Sequence, residues 1–243
     1  MGQVRLLLVA LQFLTRLPVP QVRGFTPDMI SRSTRYYPVV GALVGGICAL
    51  VLTGAAQVWD GVLPAMLAIA VGVLVTGAFH EDGLADTFDG LGGGTEPARR
   101  LEIMKDSRIG TFGALGLGLV LALKVAALAQ LAPPLAALGL LCAHAGGRTA
   151  AVLAMAALAP VGQSAKWSPD RLRPIEPVLA VVLGAAPLVL LGAQAAPALA
   201  LGLALAALPA LASRRLIGGY TGDILGAVEQ MFELGVLLAL AAL

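Results

Sequence analysis

The sequence predicts an all-α, polytopic integral membrane helix bundle, and three observations support this prediction. Apolar residues make up 58% of the chain and charged residues only 12%, which is about half the charged share of an ordinary soluble domain. The mean hydropathy is +0.90, a value typical of a chain whose solvent is lipid. The apolar residues also form long runs, and we expect a single membrane-embedded domain over residues 1–243.

A membrane-spanning helix needs about 20 largely apolar residues, and about seven segments approach that length. These are residues 37–58, 62–80, 111–131, 135–159, 177–192, 197–213 and 225–243. The fifth and sixth are short and poorly separated, so one helical hairpin or a partly re-entrant pair is an alternative there. The apolar stretch from Val4 to Leu17 is too short to span and ends at Pro18, which predicts an N-terminal interfacial helix.

The basic residues lie in alternate connections. Apart from Lys124 and Arg148, every Lys and Arg falls in the N-terminal region or in the loops 81–110, 160–176 and 213–224. The positive-inside rule places these regions in the cytoplasm. We therefore expect the N-terminus inside and, with seven spans, the C-terminus outside. The net charge of +2 is too small to indicate nucleic-acid binding.

An acidic cluster follows the second predicted span. Asp82, Asp86 and Asp89 share one face of a helix because they are spaced by one and two turns. Stacked carboxylates repel one another unless a cation lies between them, and hard oxygen ligands suit Mg²⁺, or Mn²⁺, better than zinc. The cluster therefore predicts a divalent-metal site for phosphate chemistry at the membrane surface. A solvated acidic loop is the alternative.

The same loop carries basic candidates for phosphate binding. Arg100, Lys105 and Arg108 follow the acidic cluster, and guanidinium groups match phosphate oxygens bidentately. Asp106 lies among them and is a further candidate metal ligand, or a residue that orients Arg108. Positive charge that serves only to orient the protein in the membrane is the alternative.

Further candidates lie elsewhere in the chain. Thr221 and Asp223 belong to a glycine-rich turn before the last span, where backbone N–H groups can bind phosphate. Arg148 and Glu233 lie inside predicted spans, where ionisable residues are costly and usually functional, and we expect Arg148 to bind phosphate. His80 adjoins the acidic cluster and is a candidate acid or base, with a structural histidine as the alternative.

These motifs resemble those of one family, the membrane-bound cobalamin synthases, also called adenosylcobinamide-GDP ribazoletransferases. The resemblance rests on FHEDGLADTFDG at 79–90, EIMKDSRIGT at 102–111 and TGDILGA at 221–227, and it extends in order along essentially the whole chain. Glu81 departs from the family pattern, so it is not counted among the metal ligands. The acidic motif also resembles that of the CDP-alcohol phosphotransferases.

The resemblance implies a Mg²⁺-dependent phosphotransferase of the cytoplasmic (inner) membrane, with its active site facing the cytoplasm. It would transfer the adenosylcobinamide-phosphate moiety of adenosylcobinamide-GDP to the 5′-hydroxyl or 5′-phosphate of α-ribazole and release GMP. Catalysis is expected from Asp82, Asp86 and His80. The identity of the general base, the number of metal ions and a homo-oligomeric state stay open.

Two other functions are alternatives. One is a CDP-alcohol-type phosphotransferase that acts on a lipid alcohol. The other is a secondary transporter, which would be expected to show internal repeats with broken helices. No such repeats are visible in the sequence, and its charges gather on one face rather than along the spans.

Overall fold

The computed structural model describes residues 2–162 and 172–243. Within these ranges the chain is helical, apart from loops and one isolated parallel bridge between Pro160 and Tyr220. The α-helices of these ranges, numbered in chain order, are α1 (Gln3–Leu14), α2 (Asp28–Ser33), α3 (Tyr37–Ala55), α4 (Leu63–Thr76), α5 (Phe79–Gly93), α6 (Pro97–Ile103), α7 (Thr111–Gln130), α8 (Pro133–Ala157), α9 (Ile175–Ala185), α10 (Ala195–Leu216) and α11 (Gly222–Ala241). The predicted all-helical membrane fold is confirmed.

The number of membrane spans differs from the prediction. Among the described residues, five stretches are long and apolar enough to cross a membrane: Asp28–Ala55, Thr111–Gln130, Pro133–Ala157, Pro187–Leu216 and Gly222–Ala241. A sixth results if α4 and α5 together form one bent span. The count of seven is not confirmed, because α9 has only 11 residues and the 3₁₀ segment after it is broken at Gly192. Apolar composition indicates contact with lipid but not where the backbone breaks.

A sharp bend separates α4 from α5, whose axes differ by 92°. Gly77 (φ 69°) and Ala78 (φ 59°) both adopt left-handed backbone conformations at the bend, which are costly for any residue except glycine. The side chain of Arg16 lies against Gly77. The backbone N–H of Arg16 donates to the Val75 carbonyl at 2.7 Å. The bend sets α5 nearly perpendicular to α4, and because α5 carries four carboxylates we infer that it lies outside the membrane-crossing segments.

Helix α11 is the centre of the bundle. It packs against α5, α7, α8 and α10, and most of its side chains are buried, including the polar residues Glu229, Gln230 and Glu233. Buried ionisable groups in a span need partners, and α7 and α8 supply them. At one end of the bundle, α5 contacts the first turns of both α7 and α11, which brings the acidic residues of α5 to the starts of two spans.

Candidate active site

The acidic face of α5 meets the start of α11. Gly83 lies against the backbone of Asp223, which is the second residue of α11. The carboxylates of Asp82, Asp86 and Asp223 are close enough for their charges to interact. The structure therefore brings Asp223, which the sequence indicated as a substrate-binding residue, beside two of the predicted metal ligands.

This carboxylate cluster carries uncompensated negative charge. Neither Asp82 nor Asp86 forms an ion pair or side-chain hydrogen bond with another described residue. Burial, followed by the charges of Asp223, Asp82 and Asp89, raises the pKa of Asp86 to about 7. Carboxylates that disfavour one another's ionisation are stabilised by a cation, and their hard oxygen atoms are the ligands that Mg²⁺ prefers. The donor chemistry of Asp82, Asp86 and Asp223 suits a divalent cation, although their oxygen atoms do not all lie within 4.8 Å of one another, so metal ligation by these residues stays a prediction.

Asp89 has a different environment from the other acids of α5. Its side chain is buried, and its two oxygens accept hydrogen bonds from the backbone N–H groups of Gly110 at 2.7 Å and Gly113 at 2.8 Å. A Cβ atom on Gly113 would collide with this carboxylate. Asp89 thus satisfies N–H groups at the start of α7 that would otherwise lack acceptors. Sequence spacing did not reveal this contact, and metal ligation by Asp89 stays a prediction.

The predicted phosphate-binding residues of the loop after α5 are in three different environments. Arg108 donates to Asp106 through Nε at 3.0 Å and Nη2 at 2.6 Å, and this pairing lowers the pKa of Asp106 to about 2. Arg100 is half-buried, and its Nη1 donates to the Leu216 carbonyl at 3.4 Å. Lys105 is exposed and lines a cavity. Metal ligation by Asp106 stays a prediction.

That cavity has a volume of about 760 Å³, within the range of small-molecule sites. Its charged and hydroxyl-bearing side includes Lys105, Thr221 and Asp223. Thr221 is the N-cap of α11: its Oγ1 accepts from the Ile224 N–H at 3.3 Å and donates to Asp223 at 3.1 Å. The cavity is therefore continuous with the acidic cluster through Asp223.

A second charged group lies buried inside the bundle, between α7, α8 and α11. Lys124 donates to Gln230 at 2.6 Å and to Glu233 at 2.7 Å. Arg148, only 2% exposed, donates to Glu229 and, at 2.9 Å, to Glu233. Two cations therefore face two carboxylates, which offsets the cost of burying each charge.

The environment of Arg148 bears on metal binding in the bundle and on the phosphate-binding role expected for this arginine. In the described ranges, His144, Glu229 and Glu233 form the only trio of potential metal ligands whose atoms lie within 4.8 Å of one another. Nη1 of Arg148 contacts all three, at 3.0 Å from His144 Nδ1, so a cationic group already lies among them. The guanidinium is thus engaged inside the bundle, and its predicted role in phosphate binding stays a prediction.

Gln230 connects the buried charges to α5. Its Nε2 donates to Glu81 and to Glu229, each at 3.0 Å. Glu81 precedes Asp82, so this amide fixes the beginning of the acidic helix. Sequence reasoning did not single out Gln230, although an amide in an otherwise apolar span was a usable signal. His80 is buried, and its Nδ1 has no hydrogen-bond partner among the described residues, so its acid–base role stays a prediction.

The fold and site define a class: a membrane-embedded helical protein with a cluster of aspartates at one end of the bundle and a cavity beside it. Comparison with known proteins identifies the family. The cobalamin-5-phosphate synthase family model matches residues 6–241, and the chain belongs to this family. The resemblance inferred from the motifs at 79–90, 102–111 and 221–227 is thereby confirmed.

Curated relatives are similar in sequence to this chain over nearly their full lengths. A Leptothrix cholodnii protein is 46% identical over 249 residues, covering 97% of this chain and 94% of that protein. Proteins from Shewanella frigidimarina and Ralstonia pickettii are 40% and 41% identical, covering 99% and 96% of this chain and 95% and 93% of their own lengths. All three are named adenosylcobinamide-GDP ribazoletransferase. No solved structure matches the chain significantly.

Proposed function

We propose that this protein is an adenosylcobinamide-GDP ribazoletransferase, which joins the adenosylcobinamide-phosphate moiety to α-ribazole or its 5′-phosphate and releases GMP. Its family membership and the names of its relatives support this function. The structural observation that carries it is the convergence of Asp82, Asp86 and Asp223 beside a cavity of about 760 Å³. A lipid-alcohol phosphotransferase and a transporter are not favoured, because the family match spans nearly the whole chain.

In this reaction a ribose hydroxyl oxygen forms a bond to the phosphorus on the cobinamide side, and the phosphorus–oxygen bond to GMP breaks. A product named cobalamin 5-phosphate keeps a phosphate on its 5′-oxygen. We therefore assign the attack to a ribose hydroxyl other than the 5′-hydroxyl, which replaces the 5′-acceptor expected from the resemblance. Asp223 lines the cavity whereas Asp82 and Asp86 do not. We therefore assign Asp223 as the general base that accepts the proton of the attacking hydroxyl, because a general base must lie within reach of that proton.

Asp82 and Asp86 would hold Mg²⁺, with Asp223 facing it from α11. Bound there, Mg²⁺ supplies positive charge that favours departure of GMP. Lys105 at the cavity, with Arg100 and Arg108 in the same loop, would stabilise negative charge on the phosphate oxygens. Mn²⁺ would substitute for it because it prefers the same oxygen ligands.

We also propose that the protein lies in the cytoplasmic (inner) membrane with its N-terminus and active site on the cytoplasmic side. The buried ion pair between Arg35 and Glu176, 2.7 Å from Nη2 to Oε1, joins the beginnings of α3 and α9 at one end of the bundle. Basic loops share that end with the acidic cluster, as the positive-inside rule predicts for a cytoplasmic face.

The test is an assay of the purified protein in nanodiscs with adenosylcobinamide-GDP and α-ribazole, with GMP and the corrinoid product separated by chromatography. We expect GMP release that depends on both α-ribazole and Mg²⁺. Asp86→Asn should reduce the rate at least about 100-fold, the loss typical when one electrostatic stabiliser of the transition state is removed. Glu102→Gln is the matched control, because its carboxylate is exposed on α6 and pairs only with Arg99 among the described residues.

Two results would count against the proposal. If the wild-type protein forms no corrinoid product, or releases GMP at the same rate without α-ribazole, the proposed reaction is wrong. If Asp86→Asn keeps full activity while the wild-type protein is active, the reaction stands and the assigned site is wrong.

A further inference from the structure

The cavity beside Asp223 is formed where α1, α3, α6, α8 and α11 come together. Phe13 and Tyr37 provide stacked rings on one part of its wall, with centroids 6.0 Å apart and an interplanar angle of 18°. Leu101, Met104 and Met155 provide flexible apolar side chains. Methionine sulfur atoms pack favourably against aromatic rings, so this lining suits a flat, apolar aromatic group.

The polar residues of the wall lie next to this apolar lining. Thr221 Oγ1 is 4.0 Å from the sulfur of Met104, and Thr221 in turn donates to Asp223. A ligand that matches this wall therefore has an apolar aromatic part joined directly to a hydroxyl-bearing part. A nucleoside with an apolar base has this arrangement, because its ribose hydroxyls adjoin the ring.

Polarity distinguishes the aromatic bases that the two substrates would bring. Guanine carries hydrogen-bonding groups on its outer edge, and contact with Leu101, Met104 and Met155 would leave such groups without partners, which costs free energy. The dimethylbenzimidazole base of α-ribazole instead carries two methyl groups on that edge.

We propose that this cavity is the acceptor site, in which Phe13, Tyr37, Leu101, Met104 and Met155 bind the aromatic base of α-ribazole and Asp223 faces its ribose. This inference rests on the proposed function and extends it to the specificity for the base. The cavity selects an apolar benzimidazole base over a purine base.

The inference is tested by steady-state kinetics of the full-length protein in nanodiscs, with each substrate varied in turn. Met155→Trp fills part of the cavity and should raise the KM for α-ribazole about tenfold or more, while the KM for adenosylcobinamide-GDP stays unchanged. Leu101→Phe, a smaller change, should shift the same KM in the same direction. Met66→Trp is the matched control, because Met66 is 51% exposed on α4 and does not line the cavity.

A second measurement varies the base of the acceptor. The wild-type protein should use the dimethylbenzimidazole nucleoside with a kcat/KM at least about tenfold above that of its demethylated analogue, and Met155→Ala should reduce that ratio. Neither change is expected from a variant that is merely less stable.

The outcomes separate the two proposals. If the wild-type protein is active and the KM for α-ribazole is the same in all variants, the acceptor site is wrong and the proposed function stands. If only the KM for adenosylcobinamide-GDP rises, the cavity holds the other substrate and the inference is overturned. If the wild-type protein forms no product, the proposed function itself fails.

Discussion

The carboxylate of Asp89 accepts a hydrogen bond of 2.8 Å from the backbone N–H of Gly113. This contact ties the acidic helix α5 to the first turn of α7, and a second bond from Gly110 N–H at 2.7 Å reinforces it. One turn earlier on the same helix, burial and the neighbouring negative charges raise the pKa of Asp86. The position of the acidic face therefore depends on how closely the backbone at Gly113 can approach Asp89.

We predict that Gly113→Ala lowers the kcat of the protein. The new methyl group would collide with the Asp89 carboxylate and approach the Ala85 carbonyl, so α5 and α7 must separate. We expect a fall in kcat of at least about tenfold, because small displacements of catalytic groups are costly. GMP release by the purified protein measures the effect.

Gly118→Ala is the control for that substitution. Gly118 lies on the same helix, and a Cβ atom there meets nothing within 4 Å among the described residues. This variant should keep wild-type activity. Equal activity of the two alanine variants would show that the close approach at Gly113 does not control the site.

We predict that Lys124→Met and Glu233→Gln each lower the free energy of unfolding by about 3–5 kcal/mol, because each leaves a buried charge without its full set of partners. The two side chains are 2.7 Å apart, and at most 3% of either is exposed. The double variant Lys124→Met/Glu233→Gln restores charge balance and should lose less stability than the sum of the single variants. Unfolding in detergent micelles measures all three, and additive losses would contradict the coupling.

The sequence predicted local features well and non-local ones poorly. The spans at 111–131 and 135–159 agree with α7 and α8 within two residues, because long apolar runs mark both. Asp82 and Asp86 share a face because helical spacing decides it. The hydrogen bonds from Gly110 and Gly113 to Asp89 require the loop after α5 to fold back onto that helix. Spacing along the chain carries no information about such a contact.

The same distinction explains the buried charges. The cost of an ionisable group in a span indicated that Arg148 and Glu233 matter, but not that they contact each other. Their ion pair joins α8 to α11 across 85 residues. An arginine that binds phosphate and one that neutralises buried carboxylates look identical in the sequence, and only packing separates the two roles.

We predict that the affinity for divalent cations falls as the solution becomes more acidic than about pH 7. The pKa of Asp86 is raised to about 7, so below that pH the carboxyl is protonated and a cation must displace the proton. The apparent dissociation constant should rise by up to about tenfold per pH unit between about pH 7 and pH 6, and change little above about pH 8. Mn²⁺ titration followed by electron paramagnetic resonance measures it directly.

Asp106→Asn serves as the control for this pH dependence. Arg108 lowers the pKa of Asp106 to about 2, so that carboxyl stays ionised throughout the range tested. Its removal should leave the slope of affinity against pH unchanged. An affinity independent of pH in the wild-type protein would exclude Asp86 as the group whose proton the cation displaces.

We predict that the loop between α3 and α4 faces the outside and the loop that contains α6 faces the cytoplasm. Cys48 and Cys142 are buried, so a membrane-impermeant maleimide should not label the wild-type protein in intact cells. Asp60→Cys, at an exposed site in the first loop, should be labelled from outside, whereas Arg99→Cys, on exposed α6, should react only after the membrane is permeabilised. The reverse pattern would place the carboxylate cluster outside, where it could not act on cytoplasmic substrates.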